Sequence, residues 1–318
     1  MNINYKEDVL ENGFEQAIIN QNNDYEGQVT ATLIRKRVVN HSYKAILCIH
    51  GFNDYFYQEI IAEEFLKKGY NFYALDLRKY GRSILKNQKH NNVRSLSEYY
   101  EDIDAALAII KEEGNQNIIL YGHSTGGLII TLYANVRKES TLFDVLVCNS
   151  PFYDFNLPWI QKKTVIPILS FLGRLNPDII LPIGFSKFYG KSLHKSDYGE
   201  WNYNLLWKPH VAPSINAGWI NAIHQGHLEI ERGISATKPI LILHSERSVY
   251  PSEWSEEMFE GDAILNVKDI VEKSKLIKSP NKEVIGFEGA MHDLILSKKS
   301  VRDFIFKIIF EWLDKNLK

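Results

Sequence analysis

Residues 117–134 read Asn-Ile-Ile-Leu-Tyr-Gly-His-Ser-Thr-Gly-Gly-Leu-Ile-Ile-Thr-Leu-Tyr-Ala, and this stretch decides the fold. The apolar run 117–121 predicts a buried strand, and residues 128–134 predict a helix. The turn between them is so tight that it forces Ser124 into a strained conformation, and its flanking positions need glycine because a Cβ atom would clash there. We therefore expect the Ser124 hydroxyl at a helix N-terminus, where N–H groups and the helix dipole favour a developing oxyanion.

The segments on either side of this turn alternate between strands and helices. Residues 45–49 and 70–75 are apolar runs separated by a stretch with helical spacing, and another apolar run follows at 145–149. Strand, helix and strand in this order indicate parallel pairing. Residues 14–39 alternate loosely and are interrupted by Gly27, which predicts an antiparallel hairpin ahead of the parallel strands.

The alternation stops after Pro151 and resumes only near residue 238. The intervening region is rich in aromatic residues and prolines, whereas 240–243 and 283–287 again predict strands and 301–312 an amphipathic closing helix. We expect residues 1–150 and 238–318 to form an α/β core with a mostly parallel sheet of about eight strands and helices on both faces. Residues 151–237 are expected to form an inserted cap.

Composition excludes several classes of protein. The chain has 318 residues, 45% of them hydrophobic, and a formal net charge of -2. Such a balanced charge gives no field that would gather nucleic acid. Cys48 and Cys148 lie in apolar runs and are expected to be buried thiols. The first ten residues lack the apolar core of a secretory signal, and no apolar run reaches the roughly 18 residues that span a bilayer, so a cytoplasmic protein is expected.

A histidine that could act as general base follows the last predicted strand. Met291-His292-Asp293 lies between that strand and the closing helix, which is where a base would meet Ser124 at the carboxyl edge of the sheet. The simpler interpretation is that the glycines only make a turn and that Ser124 caps a helix. The position of His292 favours the catalytic interpretation.

A third group must orient the imidazole, and two acidic residues compete for this role. Chain order places the acid between Ser124 and His292, after the strand 240–243. Glu246 follows that strand directly, whereas Asp262 lies beyond an acidic stretch. The backbone N–H groups of Phe52 and Thr125 are expected to form the oxyanion hole.

These motifs resemble those of the α/β-hydrolase family, in the branch of monoacylglycerol lipases, lysophospholipases and serine aminopeptidase-like enzymes. Residues 76–83, Asp-Leu-Arg-Lys-Tyr-Gly-Arg-Ser, resemble the D-x-R-G-x-G-x-S loop of that branch, with Lys79 in place of the first glycine. In these relatives the acid precedes a short apolar run. Residues 262–267 resemble this pattern and the surroundings of Glu246 do not, so the resemblance favours Asp262.

The resemblance implies a serine hydrolase that cleaves a small-molecule ester or lipid through an acyl-enzyme on Ser124, without a metal or cofactor. His224 and His227 lack a third ligand for zinc and are expected to support the cap. Two rivals remain: an aminopeptidase, in which Glu200 or Glu229 would grip the free amine, and a ligand receptor with a weak triad. Two apolar stretches could touch a membrane surface transiently or simply pack the cap onto the sheet: Val165, Ile166, Ile168, Leu169, Phe171 and Leu172, and Ile179, Ile180, Leu181 and Ile183.

Overall fold

The computed structural model describes residues 3–181 and 187–317, so Ile183 of the second apolar stretch lies outside the described residues. The strands of these two ranges are β1 (Lys6–Glu7), β2 (Glu15–Asp24), β3 (Gly27–Lys36), β4 (Lys44–Ile49), β5 (Asn71–Asp76), β6 (Asn117–His123), β7 (Val145–Asn149), β8 (Ile234–Ser235), β9 (Ile240–Ser245), β10 (Ile277–Lys278) and β11 (Lys282–Phe287).

Within the described ranges, nine strands form one open sheet in the order β1-β2-β3-β5-β4-β6-β7-β9-β11. Every neighbouring pair from β5 to β11 is parallel, whereas β1, β2 and β3 pair antiparallel and β3 joins β5 antiparallel. The mostly parallel sheet and the hairpin before it are thus confirmed. The ninth strand, which was not among the expected eight, is β1. It has only two residues, too few to show a hydrophobic periodicity in the sequence.

The sheet is covered by helices on both faces, as expected. Successive residues of the central strands point to opposite sides, so that Leu47 and Leu120 join one hydrophobic cluster and Ile46 and Ile119 the other. The described helices are α1 (Glu59–Lys67), α2 (Glu98–Glu112), α3 (Thr125–Val136), α4 (Trp159–Leu175), α5 (Lys187–Leu193), α6 (Ala217–Arg232), α7 (Val267–Ser274) and α8 (Lys299–Asn316). Helices α2, α3 and α6 pack against the first cluster, and α1 and α8 against the second.

Lys79, which stands in place of the first glycine of the related loop motif, adopts a left-handed conformation. Its φ is 66°, and its side chain is fully buried. The Nζ atom lies 2.6 Å from Asp24 Oδ2 and 2.9 Å from Glu26 Oε2 at the turn between β2 and β3. These two ion pairs tie the loop after β5 to the hairpin and compensate the buried ammonium charge.

Residues 151–237, called the insertion below, connect β7 to β9. Where described, the insertion contains α4, α5 and α6 and adds no strand to the main sheet. Cys48 and Cys148 are buried free thiols, as predicted. None of the described helices is long and apolar enough to span a membrane.

Candidate active site

Ser124 occupies the turn between β6 and α3 in a strained conformation. Its φ is 53° and its ψ is -116°, values that a residue with a Cβ rarely adopts. The turn closes tightly because a Cβ atom on Gly122 would lie 2.5 Å from Gly126 O. The Ser124 side chain makes no capping hydrogen bond to α3. The hydroxyl is therefore not used to hold the helix, which removes the simpler interpretation of this serine.

His292 and Asp262 are hydrogen-bonded below the surface of the protein. The Nδ1 atom of His292 lies 2.9 Å from Asp262 Oδ2, and the two side chains are 3% and 0% exposed. An ionised carboxylate only accepts hydrogen bonds, so Nδ1 carries the proton and Nε2 keeps a lone pair. This arrangement gives His292 the tautomer that a general base needs.

The loop after β9 returns to its own start, which explains how Asp262 reaches His292 despite its distance along the chain. Ser248 and Asp262 form a parallel β-bridge, with Val249 N donating to Asp262 O and Asp262 N to Arg247 O, both at 2.9 Å. The amides of Ile264 and Leu265 donate to Asp262 Oδ1. Glu246 is exposed and its side chain contacts neither Asp262 nor His292 in the described part of the chain.

Ser124 and His292 both line one cavity of about 310 Å³. Among the described residues, no hydrogen bond joins the Ser124 hydroxyl to the imidazole. Catalytic hydrogen bonds are often long in a protein without its substrate and shorten when the substrate is bound. The structure thus places nucleophile and base candidates on the same wall, and their roles remain predictions.

The two expected oxyanion donors lie at the same cavity. Thr125 is the first residue of α3, and the first N–H groups of a helix have no partner within it. Phe52 follows β4 and its ring contacts Trp219 of the insertion, with 4.7 Å between ring centroids. Phe52, Thr125 and Ser124 line the same cavity, and the role of the two amides as oxyanion donors stays a prediction.

The cavity is lined mostly by apolar side chains. They come mostly from the insertion and from the loop before α7, and they are Phe52, Phe152, Phe155, Leu157, Ile166, Ile215, Trp219, Ile220, Ile264 and Leu265. Its polar lining residues include Asp54, His123, Lys208 and His210. Such a pocket suits a ligand with an apolar body and one polar end.

Several polar residues around the site were not anticipated. Asn149, the last residue of β7, donates to Asp293 Oδ1 at 2.7 Å and accepts from Leu294 N, which holds the histidine loop against the sheet. Burial raises the pKa of Asp293. A polar residue at the carboxyl end of a buried strand is a sequence feature that indicates such a site, and Asn149 is a residue of this kind.

His123, the residue before Ser124, is a buried histidine whose surroundings keep it neutral. Burial, followed by the charge of His292, holds the pKa of His123 well below its usual value. The two imidazole centroids are 4.9 Å apart. A neutral His123 adds no positive charge that would oppose a proton on the neighbouring imidazole of His292.

Two histidines of the insertion, His194 and His227, form hydrogen bonds within the described part of the chain. His227 Nε2 donates to Phe152 O at 2.9 Å, which anchors α6 to the end of β7 and agrees with a supporting role. His194, Asp197 and His210 offer ligand atoms within 4.8 Å of one another. Both ring nitrogens of His194 already form hydrogen bonds, to Ser196 and to Tyr203 O. This cluster does not fit a metal centre, which needs free lone pairs on its ligands.

Comparison with known proteins supports this architecture. Residues 40–299 match the family described as "Serine aminopeptidase, S33". The AB hydrolase superfamily protein YisY of Bacillus subtilis is 24% identical over 234 residues, which cover 69% of this chain and 80% of that protein.

Solved structures show the same fold at low sequence identity. The monoglyceride lipase of Saccharomyces cerevisiae, in complex with a substrate analogue, has a TM-score of 0.69 and 18% identity over 94% of this chain and 95% of its own. The monoacylglycerol lipase of Paleococcus ferrophilus has a TM-score of 0.62 and 21% identity over 89% and 99%. Est1E of Butyrivibrio proteoclasticus, bound to ferulic acid, has a TM-score of 0.59 and 18% identity over 94% and 98%. These likenesses establish the fold expected from the sequence.

Proposed function

The chain belongs to the serine aminopeptidase S33 family of α/β-hydrolases, and on this basis we propose that it is a serine hydrolase cleaving carboxylic esters with an apolar acyl group. The observation that carries the proposal is the single cavity in which Ser124, His292 and a largely apolar wall meet. Neighbours of the same fold that are named monoglyceride and monoacylglycerol lipases support an ester or lipid substrate.

In the first half of the proposed reaction, His292 Nε2 takes the proton of the Ser124 hydroxyl as its oxygen attacks the ester carbonyl. Asp262 holds the ring and stabilises the imidazolium through the 2.9 Å hydrogen bond. The amides of Phe52 and Thr125 stabilise the tetrahedral oxyanion. The imidazolium then protonates the leaving alcohol, which leaves an acyl group on Ser124. Water, activated by His292, releases the acid and restores the hydroxyl.

The charges of the cavity favour an ester over a peptide with a free amino terminus. Among the described residues that line the cavity, Asp54 is the only one with a carboxylate, and Lys208 neutralises it at 2.8 Å. Neither Glu200 nor Glu229 lines the cavity, and Glu200 pairs with Arg302 at 2.7 Å. No unpaired anion is therefore present in this lining to hold an ammonium group, as an aminopeptidase would require.

We propose that the insertion acts as a cap that carries the acyl-binding wall and contacts lipid surfaces transiently. Helix α4 contributes Ile166 to the cavity and presents apolar side chains to solvent on its outer face. The exposed members in and beside α4 are Leu157, Trp159, Ile160, Val165, Ile168, Phe171, Leu172 and Leu175. An apolar patch of this kind on a helix over an acyl pocket suits the boundary of a lipid layer.

The proposed function is tested by comparing two substrate classes. The native chain should hydrolyse p-nitrophenyl butyrate far faster than aminoacyl p-nitroanilides, and Ser124→Ala should abolish both activities. Faster anilide turnover would show an aminopeptidase instead. If neither substrate is cleaved and Ser124→Ala leaves the cellular role unchanged, the receptor interpretation applies.

A further inference from the structure

Three consecutive residues of the loop after β4 are each bonded to one short segment of the insertion. Asn53 Nδ2 donates to Pro209 O at 2.9 Å, and Lys208 Nζ donates to Asp54 Oδ1 at 2.8 Å. Tyr55 is joined in the same way, since its hydroxyl accepts from Asn204 N at 2.7 Å. Residues 204–209 therefore hold residues 53–55, which directly follow the expected oxyanion donor Phe52.

The residue that follows Phe52 has a strained backbone conformation. Asn53 has a φ of 50°, in the left-handed region that costs energy for any residue other than glycine. The other end of the loop is fixed to the core, since Phe56 N donates to Asp76 Oδ1 and Arg82 donates to Phe56 O. No comparable contact to the core is formed by the side chains of Asn53 and Asp54 in the described residues, apart from the approach of Asp54 to His123 at 3.8 Å.

Of the three contacts between residues 53–55 and 204–209, the one between Asp54 and Lys208 is a buried ion pair. The side chains of Lys208 and Asp54 are 11% and 2% exposed, so water screens their attraction weakly. Asp54 Oδ1 also accepts from Tyr55 N at 2.9 Å, which fixes the carboxylate relative to the loop backbone. A displacement of Lys208 is therefore transmitted directly to the backbone next to Phe52.

We propose that Lys208 is a positioning residue for the oxyanion hole: through Asp54 it holds the loop that presents the Phe52 amide, so that the insertion is required for the chemical step and not only for binding the acyl chain. This role rests on the proposed function. It makes catalysis depend on the docked position of residues 204–209, because a small misplacement of an oxyanion donor is enough to slow the reaction strongly.

Lys208→Met tests the role with p-nitrophenyl butyrate, a neutral ester, and with butylboronic acid, which forms a tetrahedral adduct on an active serine. Active-site titration gives the concentration of functional enzyme, and kcat is calculated from that concentration, so that misfolded protein does not lower the measured value. We expect kcat to fall about 10- to 100-fold with KM changed by less than about twofold. The inhibition constant of the boronic acid should rise by the same factor as kcat/KM falls, because both depend on the oxyanion hole.

Two further variants separate positioning from folding and from charge. Lys208→Arg keeps a cation that can reach Asp54 and should restore most of kcat. The double variant Asp54→Asn/Lys208→Gln removes the unpaired buried charge left by the single substitution, so its free energy of unfolding should lie closer to that of the native chain than that of Lys208→Met does. Lys191→Met is the matched control, because Lys191 pairs with Asp197 at 3.1 Å within the insertion and does not line the cavity.

Unchanged kcat and boronate affinity in Lys208→Met would overturn the positioning role. A change confined to KM for esters with an anionic alcohol group would overturn it as well, and would show that Lys208 binds substrate. If the native chain cleaves no ester and binds no boronate, the proposed function fails, and this role fails with it. An active native chain with an equally active Lys208→Met variant would contradict only the positioning role.

Discussion

His292 Nδ1 and Asp262 Oδ2 lie 2.9 Å apart, although 30 residues separate them in the chain. The loop after β9 makes this possible, because the β-bridge between Ser248 and Asp262 brings its far end back to the sheet. Within the described residues, the carboxylate of Asp262 accepts three hydrogen bonds, from the imidazole and from the amides of Ile264 and Leu265. This set of donors offsets the desolvation of a fully buried carboxylate and fixes the orientation of the ring.

Asp262→Asn is expected to lower kcat about 10³- to 10⁴-fold, because the amide can present a donor to Nδ1 and favour the wrong tautomer of His292. Ester hydrolysis by the purified variant, normalised to folded protein, measures the loss. Glu246→Gln is the control and should stay within about twofold of the native rate, since Glu246 is exposed and away from the ring. A large loss in Glu246→Gln with none in Asp262→Asn would reverse the assignment of the acid.

Asn149→Ala should lower both stability and activity. It removes a buried side chain that donates to Asp293 Oδ1 and to the Tyr121 hydroxyl and accepts from Leu294 N. The Tyr121 hydroxyl and Leu294 N lose these bonds, whereas Asp293 keeps the donor Gln58 Nε2 at 3.5 Å. A loss of about 2–4 kcal/mol in the free energy of unfolding follows from such orphaned groups, and kcat should fall because the histidine loop is released. Urea unfolding and kcat per folded molecule measure the two effects. Asn135→Ala, which removes an exposed acceptor of Ser235 N, should change neither by much. Native-like kcat in Asn149→Ala would contradict this role.

The fold could be predicted because its strands are continuous apolar runs and because the turn around Ser124 allows few alternatives. The edge strand β1 escaped prediction, since two residues carry no period. Ser124 and His292 follow from their places after predicted strands. The structure also brings Asp262, Phe52 and Thr125 to them.

Other parts of the site depend on contacts that have no local signal. Residue spacing alone could not separate Asp262 from Glu246, because the choice depends on the loop closure at Ser248. Lys208 lies in an irregular part of the insertion, and its importance appears only where it meets Asp54, 154 residues away in the chain. Long-range pairings of this kind are set by the packing of the insertion on the core.

His227 should make the stability of the protein depend on pH. Burial lowers its pKa from an ordinary value of 6.5 to about 4. Below pH 6.5 the imidazole of residue 227 is protonated in the unfolded chain but not in the folded protein. The contribution of His227 to the free energy of unfolding is therefore present above pH 6.5 and is lost as the pH falls towards 4. Between pH 7.5 and 5 the loss from this residue is about 2 kcal/mol.

His227→Gln can still donate to Phe152 O and does not titrate, so its stability should fall about 2 kcal/mol less than that of the native chain over the same interval. Denaturant unfolding at the two pH values measures the difference. His41→Gln, at an exposed histidine, should follow the native chain. Identical pH dependence in native and His227→Gln proteins would contradict the buried neutral state of His227.

The outer face of α4 should bind lipid. Ile168 and Phe171 are 61% and 57% exposed, and replacing both with serine should lower binding to vesicles of equal parts phosphatidylcholine and phosphatidylglycerol roughly 10-fold. Hydrolysis of p-nitrophenyl butyrate should be unchanged, because neither residue lines the cavity. Val9→Ser/Val39→Ser removes two exposed apolar side chains elsewhere and should bind vesicles like the native chain. Equal sedimentation of all three proteins with vesicles would exclude this surface.

The most direct measurement is covalent labelling with a fluorophosphonate, followed by mass spectrometry of the modified peptide. The proposed activation of the Ser124 hydroxyl by His292, beside two amide donors, predicts that the native chain is labelled on Ser124 alone. Ser124→Ala should not be labelled, and His292→Ala should react at least about 100-fold more slowly. Labelling of Ser124→Ala at the native rate, or a folded native chain that does not react, would contradict the central claim that Ser124 is an activated nucleophile.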